Sequence, residues 1–224
     1  MRPKTLDHVA FWVQDRDPIV ELATTQLGMH VIDRQDAFTL VGSDARHGKL
    51  TLFTAEGLRE RGAIKHVGLR VNDLVAARAA LADGATDSVS LPEGIEVKLV
   101  ESPTDVDYDL DHVALYARQP EETAARYLEL GFLPAESSAD GAPRVEVGGA
   151  FVEFHEGDPG DPDRPLLNHL AVLVDSADEH TAEAEELGIV DRVVDAANTR
   201  AVFVWGPDRV RVEYVEHKPE FALK

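Results

Sequence analysis

The sequence contains no cysteine, no long apolar run and comparatively few basic residues. The absence of cysteine from 224 residues excludes disulfides, thiolate metal sites and a cysteine nucleophile, and it suits a reducing compartment. No apolar run reaches eighteen residues, so we expect no transmembrane helix. The opening MRPKTLDHVAFWV lacks the long apolar segment of a secretory signal, and we expect a mature cytoplasmic protein.

Charge of one sign dominates the chain. Lysine and arginine number 22 against 42 acidic residues, which gives a formal net charge of −20. Such a chain repels phosphate backbones, so we expect no nucleic-acid partner. The acidic residues are spread along the chain, which argues against an acidic tail. A well-solvated surface is the simpler interpretation, and adaptation to high salt is the alternative.

A repeated pentad is the clearest positive signal. LDHVA occurs at Leu6–Ala10 and again at Leu110–Ala114, 104 residues later, and the strings IKHVGLRV and LNHLAVLV are related to it. Each string alternates in the period of a β-strand. Each carries a histidine at the same place, and these are His8, His66, His112 and His169. Their spacings of 58, 46 and 57 residues predict four modules arranged as two pairs.

Helix signals follow each of these strands, and short strand candidates follow each helix. The predicted helix starts are Asp17 with Pro18, Asp73, Pro120, and Asp175 or Ser176; the predicted ends are Gly28, Gly84, Gly131 and Gly188. Each module therefore contains a strand, a helix, and two or three further strands. The polar segment Glu101–Asp109 predicts the boundary between two domains, residues 1–104 and 105–224, and Glu156–Pro165 links the last two modules.

Four residues of the last two modules predict a metal site. A small residue follows each histidine by two positions, on the same face of the strand, and leaves space beside the imidazole. Glu153 and Glu213 each lie inside an apolar strand, where a carboxylate is costly to bury unless it is paired or bound to metal. Together with His112 and His169 they suit one divalent ion: Fe, Mn, Ni, Co or Zn.

The first two modules lack these acids. Thr51 or Phe53 stands where Glu153 should repeat, and Lys98 stands where Glu213 should repeat. An ammonium group opposes a bound cation. We therefore expect residues 1–104 to be a metal-free domain, in which His8 and His66 are relics and no metal lies between His8, His66 and Lys98.

At these residues the chain resembles the vicinal oxygen chelate superfamily, which includes glyoxalase I, bleomycin-resistance proteins and type I extradiol dioxygenases. The resemblance implies an α+β fold of four βαβββ modules in two pseudo-symmetric pairs, each pair a curved mixed sheet with outer helices. It implies His112, Glu153, His169 and Glu213 as the metal ligands. GPDRVRVEYVE resembles the family's closing stretch, although Arg209 replaces a common glycine.

The resemblance leaves three functions open. A glyoxalase- or epimerase-like isomerase or lyase would use Glu153 as a fourth ligand and catalytic base, with His155 either assisting or facing solvent. An extradiol ring-cleaving dioxygenase would use His112, His169 and Glu213. Phe151 and Phe203 then replace the proton-handling histidine and tyrosine of that subfamily, which favours the isomerase. A bleomycin-resistance-type protein would bind an antibiotic without reacting it.

Three aromatic residues are candidates for an apolar substrate pocket, and they are Phe151, Phe203 and Trp205. The alternative is that all three belong to the core. The expected partner is a small-molecule substrate with two adjacent oxygens; neither nucleic acid nor membrane is expected, and a homodimer stays open.

Overall fold

The chain forms two mixed β-sheets and four α-helices in the computed structural model, which describes residues 1–81, 86–219 and 221–223. Gly84, predicted to end the second helix, lies outside the described residues. No helix in the described part of the chain is both long and apolar enough to cross a bilayer.

The elements follow the predicted order of four modules. Module 1 contains β1 (Thr5–Val13), α1 (Arg16–Gln26), β2 (His30–Arg34), β3 (Phe38–Gly42) and β4 (Lys49–Thr54). Module 2 contains β5 (Ile64–Val71), α2 (Leu74–Ala80), β6 (Ser88–Leu91) and β7 (Ile95–Glu101). Module 3 contains β8 (Asp109–Ala117), α3 (Pro120–Glu129), β9 (Leu133–Pro134), β10 (Arg144–Val147) and β11 (Ala150–Glu156). Module 4 contains β12 (Leu167–Leu173), α4 (Ala177–Leu187), β13 (Val190–Asp195), β14 (Thr199–Trp205) and β15 (Arg211–His217).

Side-chain caps explain where the helices begin. The Ser176 side chain accepts a hydrogen bond from the Glu179 N–H at the start of α4, and Gly188 ends that helix with φ of 67°. Helix α1 differs from the prediction, because Asp15 is its cap and Asp17 lies in the first turn. There the negative charge of Asp17 interacts favourably with the positive N-terminal end of the helix dipole.

The two sheets share one plan. Their strand orders are β13-β14-β15-β12-β1-β4-β3-β2 and β6-β7-β5-β8-β11-β10-β9. At the centre of each sheet the first strands of two modules pair antiparallel, β1 with β12 and β5 with β8. The last strand of every module runs parallel to the first strand of its own module. This pattern is the predicted pseudo-symmetric α+β fold.

The sheets join the modules differently from the expected halves 1–104 and 105–224. The first sheet combines module 1 with module 4, and the second combines module 2 with module 3. Each half of the chain therefore contributes one module to each sheet. The sequence could not show this exchange, because all four modules offer the same kind of first-strand edge for pairing. The segment Glu101–Asp109 connects two strands of one sheet, β7 and β8, and separates no domains.

Candidate metal centre

The antiparallel pairing of first strands brings histidines together in twos. Across each pair, the histidine of one strand lies opposite the small residue of the other, as Ala171 lies opposite His8 and Gly68 lies opposite His112. The space predicted beside each imidazole is therefore filled by the histidine of the partner module. A carboxylate from a last strand completes each of two clusters, His8 with His169 and Glu213, and His66 with His112 and Glu153.

The His8 cluster (His8, His169 and Glu213) is compact. The two Nε2 atoms lie 3.1 Å apart. Glu213 Oε2 lies 2.9 Å from His169 Nε2 and 3.3 Å from His8 Nε2. His169 and Glu213 are buried, at 1 % and 7 % exposure, so the three donor atoms meet at the floor of a cleft.

Neighbouring side chains orient both imidazoles of this cluster. Asp7 Oδ1 lies 2.8 Å from His8 Nδ1, and Asn168 Oδ1 lies 3.0 Å from His169 Nδ1. When each Nδ1–H donates to its oxygen, both Nε2 atoms face Glu213 and, when unprotonated, can bind a metal. Metal-binding histidines in proteins are held in the same way.

Burial and hydrogen bonding set the charges of the cluster. Burial lowers the pKa of His169 to about 4, so this imidazole is neutral at pH 7. Burial opposes charge on Glu213, yet His169 and His8 hold the pKa of that carboxyl below its usual range. Burial also opposes charge on His8, but hydrogen bonds to Asp7 and Glu213 raise its pKa to about 9. In the metal-free protein a proton on His8 therefore balances Glu213.

The donor atoms of the His8 cluster fit a divalent ion. With bonds of about 2.1 Å at right angles, adjacent donors on one face of an octahedron lie about 3.0 Å apart. The observed separations of 3.1, 2.9 and 3.3 Å match this spacing. Thr51 lies opposite Ala10 in the first sheet, just as Glu153 lies opposite Ala114 in the second. The last strand of module 1 therefore offers no carboxylate to the His8 cluster. Two imidazoles and one carboxylate remain, as in the facial triad of non-haem iron enzymes.

The His66 cluster (His66, His112 and Glu153) has looser geometry. Its Nε2 atoms lie 2.9 Å apart, but Glu153 Oε2 is 3.9 Å from His112 Nε2. Arg144 approaches Glu153 instead, with Nη1 3.6 Å from Oε1. Lys98 occupies the strand position that Glu213 holds in the other sheet, because it pairs with Gly68 as Glu213 pairs with Ala171.

Positive charge surrounds the His66 cluster. Burial and neighbouring positive charges, those of His112 and Lys98 first, lower the pKa of His66 to about 3. His155, which was expected to assist Glu153 or to face solvent, lies with Nδ1 2.9 Å from Lys65 Nζ. Its Nε2 atom is buried 3.6 Å from Glu153 Oε2. These cations oppose a divalent ion and compensate Glu153 without one.

The structure divides the four predicted ligands between the two clusters. His169 and Glu213 meet in the first sheet, and His112 and Glu153 meet in the second. His8 and His66, expected to be relics of one domain, belong to different sheets, and each faces a histidine of the other half of the chain. No single site between His8, His66 and Lys98 exists in the described residues.

A cavity of about 490 Å³ opens above the His8 cluster. Phe203 lines this cavity and packs edge-on against His169, with ring centroids 5.0 Å apart. Trp205 lies outside the lining, 40 % exposed, and donates from Nε1 to Asp191. Phe151 lies in the second sheet beneath the Arg144 guanidinium. Of the three predicted pocket residues, the structure brings Phe203 alone to this cavity.

Several residues of the cavity were missed by sequence reasoning. His217 lines it, with Nε2 3.1 Å from Asp7 Oδ2. Lys49 Nζ is buried 2.8 Å from Asp7 Oδ1. The sequence position of His217 could have identified it, because His217 lies four residues after Glu213 and therefore on the same face of β15. The aspartate before His8 recurs before His112, but its contacts depend on the folded sheets.

Comparison with known proteins identifies the fold. A "putative dioxygenase" from Bacillus subtilis superposes with a TM-score of 0.81 at 14% identity, over 99% of this chain and 87% of that chain. Glyoxalase I from Zea mays gives 0.73 at 15% identity, over 95% and 92%. The CppA protein of Streptococcus pneumoniae gives 0.62 at 12% identity, over 96% and 98%.

No protein-family model matches the chain, and no curated protein matches it. The structural likenesses show that the chain shares the fold of these proteins, as the resemblance given above implied. At such low sequence identities the likenesses show the fold alone, and the reaction is inferred from the geometry of the site.

Proposed function

We propose that the protein is a divalent-metal enzyme whose metal is held by His8, His169 and Glu213, and that it cleaves the ring of a catechol-type substrate with dioxygen. The observation that carries the proposal is the three-donor face with separations of 3.1, 2.9 and 3.3 Å. Three protein ligands leave room for two adjacent substrate oxygens and for dioxygen, as oxygenase triads do.

The division of the ligands removes the first of the two reasons for preferring an isomerase, and His217, described below, bears on the second. That preference depended on Glu153 as a fourth ligand and base beside His169 and Glu213. Glu153 belongs to the other sheet, and Thr51 takes its place beside the His8 cluster. A threonine there cannot act as a carboxylate base.

A metal held by His8, His169 and Glu213, Fe²⁺ or Mn²⁺, would supply Lewis-acid stabilisation of the two substrate oxygens. The carbon–carbon bond next to the diol breaks, and both atoms of dioxygen enter the product. The substrate provides all four electrons, so the reaction needs no external reductant. Phe203, Phe53 and Phe38 line the cavity and exclude water from the ring.

His217 is the group that this cavity offers for proton transfer. Its Nε2–H can donate to Asp7 Oδ2 at 3.1 Å, which leaves Nδ1 as an acceptor. The ring stacks on Phe221 at 4.1 Å and 10°, so its orientation is fixed. We assign His217 to accept a proton from a substrate hydroxyl, a role typically worth a hundredfold or more in rate.

Metal content of matched variants tests the site. Protein loaded anaerobically with Fe²⁺ should hold one ion per chain. His169→Ala and Glu213→Gln should lose it, whereas their counterparts His112→Ala and Glu153→Gln should retain it. Metal retained in Glu213→Gln but lost in Glu153→Gln would refute the assignment to the His8 cluster.

Oxygen uptake tests the reaction. A panel of catechols is added to the loaded protein, air is admitted, and uptake is followed with the yellow ring-fission product. His217→Gln should keep its metal and lose turnover about a hundredfold. Metal-dependent isomerisation of a hydroxyacyl substrate without oxygen uptake would replace this proposal with the glyoxalase-like function. Tight binding of a small molecule without turnover would indicate a binding protein.

A further inference from the structure

Arg192 lies on the rim of the cavity above the His8 cluster. In the strand register it lies opposite Phe203, and Phe203 lies opposite Glu213. The three side chains therefore share one face of the sheet. Two strand spacings of about 4.8 Å place the Arg192 backbone about 10 Å from that of Glu213. This interval is about the length of one aromatic ring that carries a carboxylate and is held at the proposed metal site by two oxygens.

Lys49, which also lines the cavity, and Arg211, which also lies over the Phe203 ring, are both paired with carboxylates. Lys49 bonds to Asp7, and Arg211 bonds to Asp191. Within residues 1–81, 86–219 and 221–223, no carboxylate oxygen lies within 4.0 Å of the Arg192 guanidinium. That guanidinium lies 4.3 Å above the centre of the Phe203 ring, a cation–π contact that holds it over the cavity and leaves its N–H groups without a carboxylate in contact.

The net charge of the chain bears on what Arg192 can bind. A chain with net charge −20 repels anions over most of its surface. An anionic substrate therefore needs a local cation where it enters. A guanidinium suits a carboxylate, because its planar fork forms two parallel hydrogen bonds to the two oxygens.

We infer that Arg192 is a specificity residue that binds a carboxylate substituent, and that the substrate is an aromatic acid carrying two adjacent hydroxyls. The inference rests on the proposed metal site. The alternative is that Arg192 only packs on Phe203, in which case its loss would weaken all ring-containing ligands equally.

A pair of probes that differ in one charge tests the inference. The Kd of 3,4-dihydroxybenzoate and of its methyl ester are measured by calorimetry on metal-loaded protein without oxygen. The wild type should bind the acid at least tenfold more tightly than the ester. Arg192→Gln should lose that preference, with ester binding unchanged within twofold. Arg192→Lys should keep part of it, and Arg126→Gln on the outer helix α3 should behave as wild type.

The outcomes separate the two proposals. Equal binding of acid and ester by the metal-loaded wild type overturns the inference and leaves the metal site standing. An equal loss for both probes in Arg192→Gln assigns the residue to packing alone and also overturns it. Failure of the His8 cluster to bind metal, with neither probe bound, refutes the proposed function and the inference together. Melting temperatures of the variants show whether each is folded.

Discussion

A buried aspartate organises the floor of the cavity. Asp7 is 3 % exposed and contacts Lys49, His8 and His217. Burial alone would raise the pKa of this carboxyl, but Lys49 and the two imidazoles hold it well below its usual range. The carboxylate therefore stays ionised, fixes the Nδ1 side of His8 and neutralises a lysine that is only 3 % exposed.

Asp7→Asn should lower the free energy of unfolding by about 3 kcal/mol, because it leaves the ammonium of Lys49 buried without an anion. Chemical denaturation of the metal-free protein measures the change. Adding Lys49→Met should recover part of the loss. Asp111→Asn is the matched control, since Asp111 contacts His112 Nδ1 at 2.8 Å without a buried lysine. An equal loss in the control would contradict this explanation.

At the scale of elements, strand geometry explains two features of the sequence. The turn Pro207–Arg209 before β15 holds Asp208 and Arg209 at φ of 52° and 57°. Glycine adopts such angles without strain, which is the physical reason that glycine is common at the position of Arg209 in the family that the chain resembles. The second feature is the small residue opposite each histidine, which sets how closely β5 and β8 approach.

Gly68→Ala should destabilise the second sheet. A Cβ at this position would lie 2.3 Å from the His112 ring, and overpacking of this kind typically costs about 1–3 kcal/mol. The free energy of unfolding from denaturant titration measures the cost. In a His112→Ala background the same substitution should cost much less, because the ring is gone. An unchanged cost there would assign the effect to the backbone of β5.

At the scale of the molecule, each half of the chain completes the sheet of the other. In residues 1–104, β1 lacks its neighbour β12 and β5 lacks its neighbour β8. The two central strand pairs, and both histidine clusters, form only when the halves combine.

Fragments 1–104 and 105–224 should therefore not unfold cooperatively when each is alone. Their unpaired central strands would expose backbone groups and apolar side chains. An equimolar mixture should regain a cooperative thermal transition by circular dichroism and elute as a one-to-one complex. A cooperative transition of the isolated fragment 1–104, as a monomer, would show that the halves are independent domains.

Net charge acts on the molecule as a whole. With −20 charges, self-repulsion should destabilise the compact state at low ionic strength, and salt should screen it. The melting temperature should rise by several degrees between low salt and molar potassium chloride, since about 1 kcal/mol shifts it by roughly 2–4 °C at this size. Sucrose of equal osmolality should raise the melting temperature by a smaller amount. A flat salt profile would exclude salt adaptation.

The sequence by itself determined the local structure and the chemistry of this protein. Period-two alternation, helix caps and four similarly placed histidines predicted four modules of a strand, a helix and two or three further strands, and strand parity predicted which residue types face inward. These properties depend on neighbouring residues, or on residues one module apart. Lys98, and Thr51 or Phe53, were likewise identified as replacements for ligand carboxylates.

The tertiary structure alone decided which modules pair. All four first strands carry the same His-x-small pattern, so any two could form the central antiparallel pair. The choice depends on packing between residues far apart in sequence, which places His8 beside His169 and His66 beside His112. As a result Glu213 and Thr51 lie in the first sheet, whereas Glu153 and Lys98 lie in the second. The first sheet is favoured as the metal centre, because Lys98 occupies a ligand position in the second.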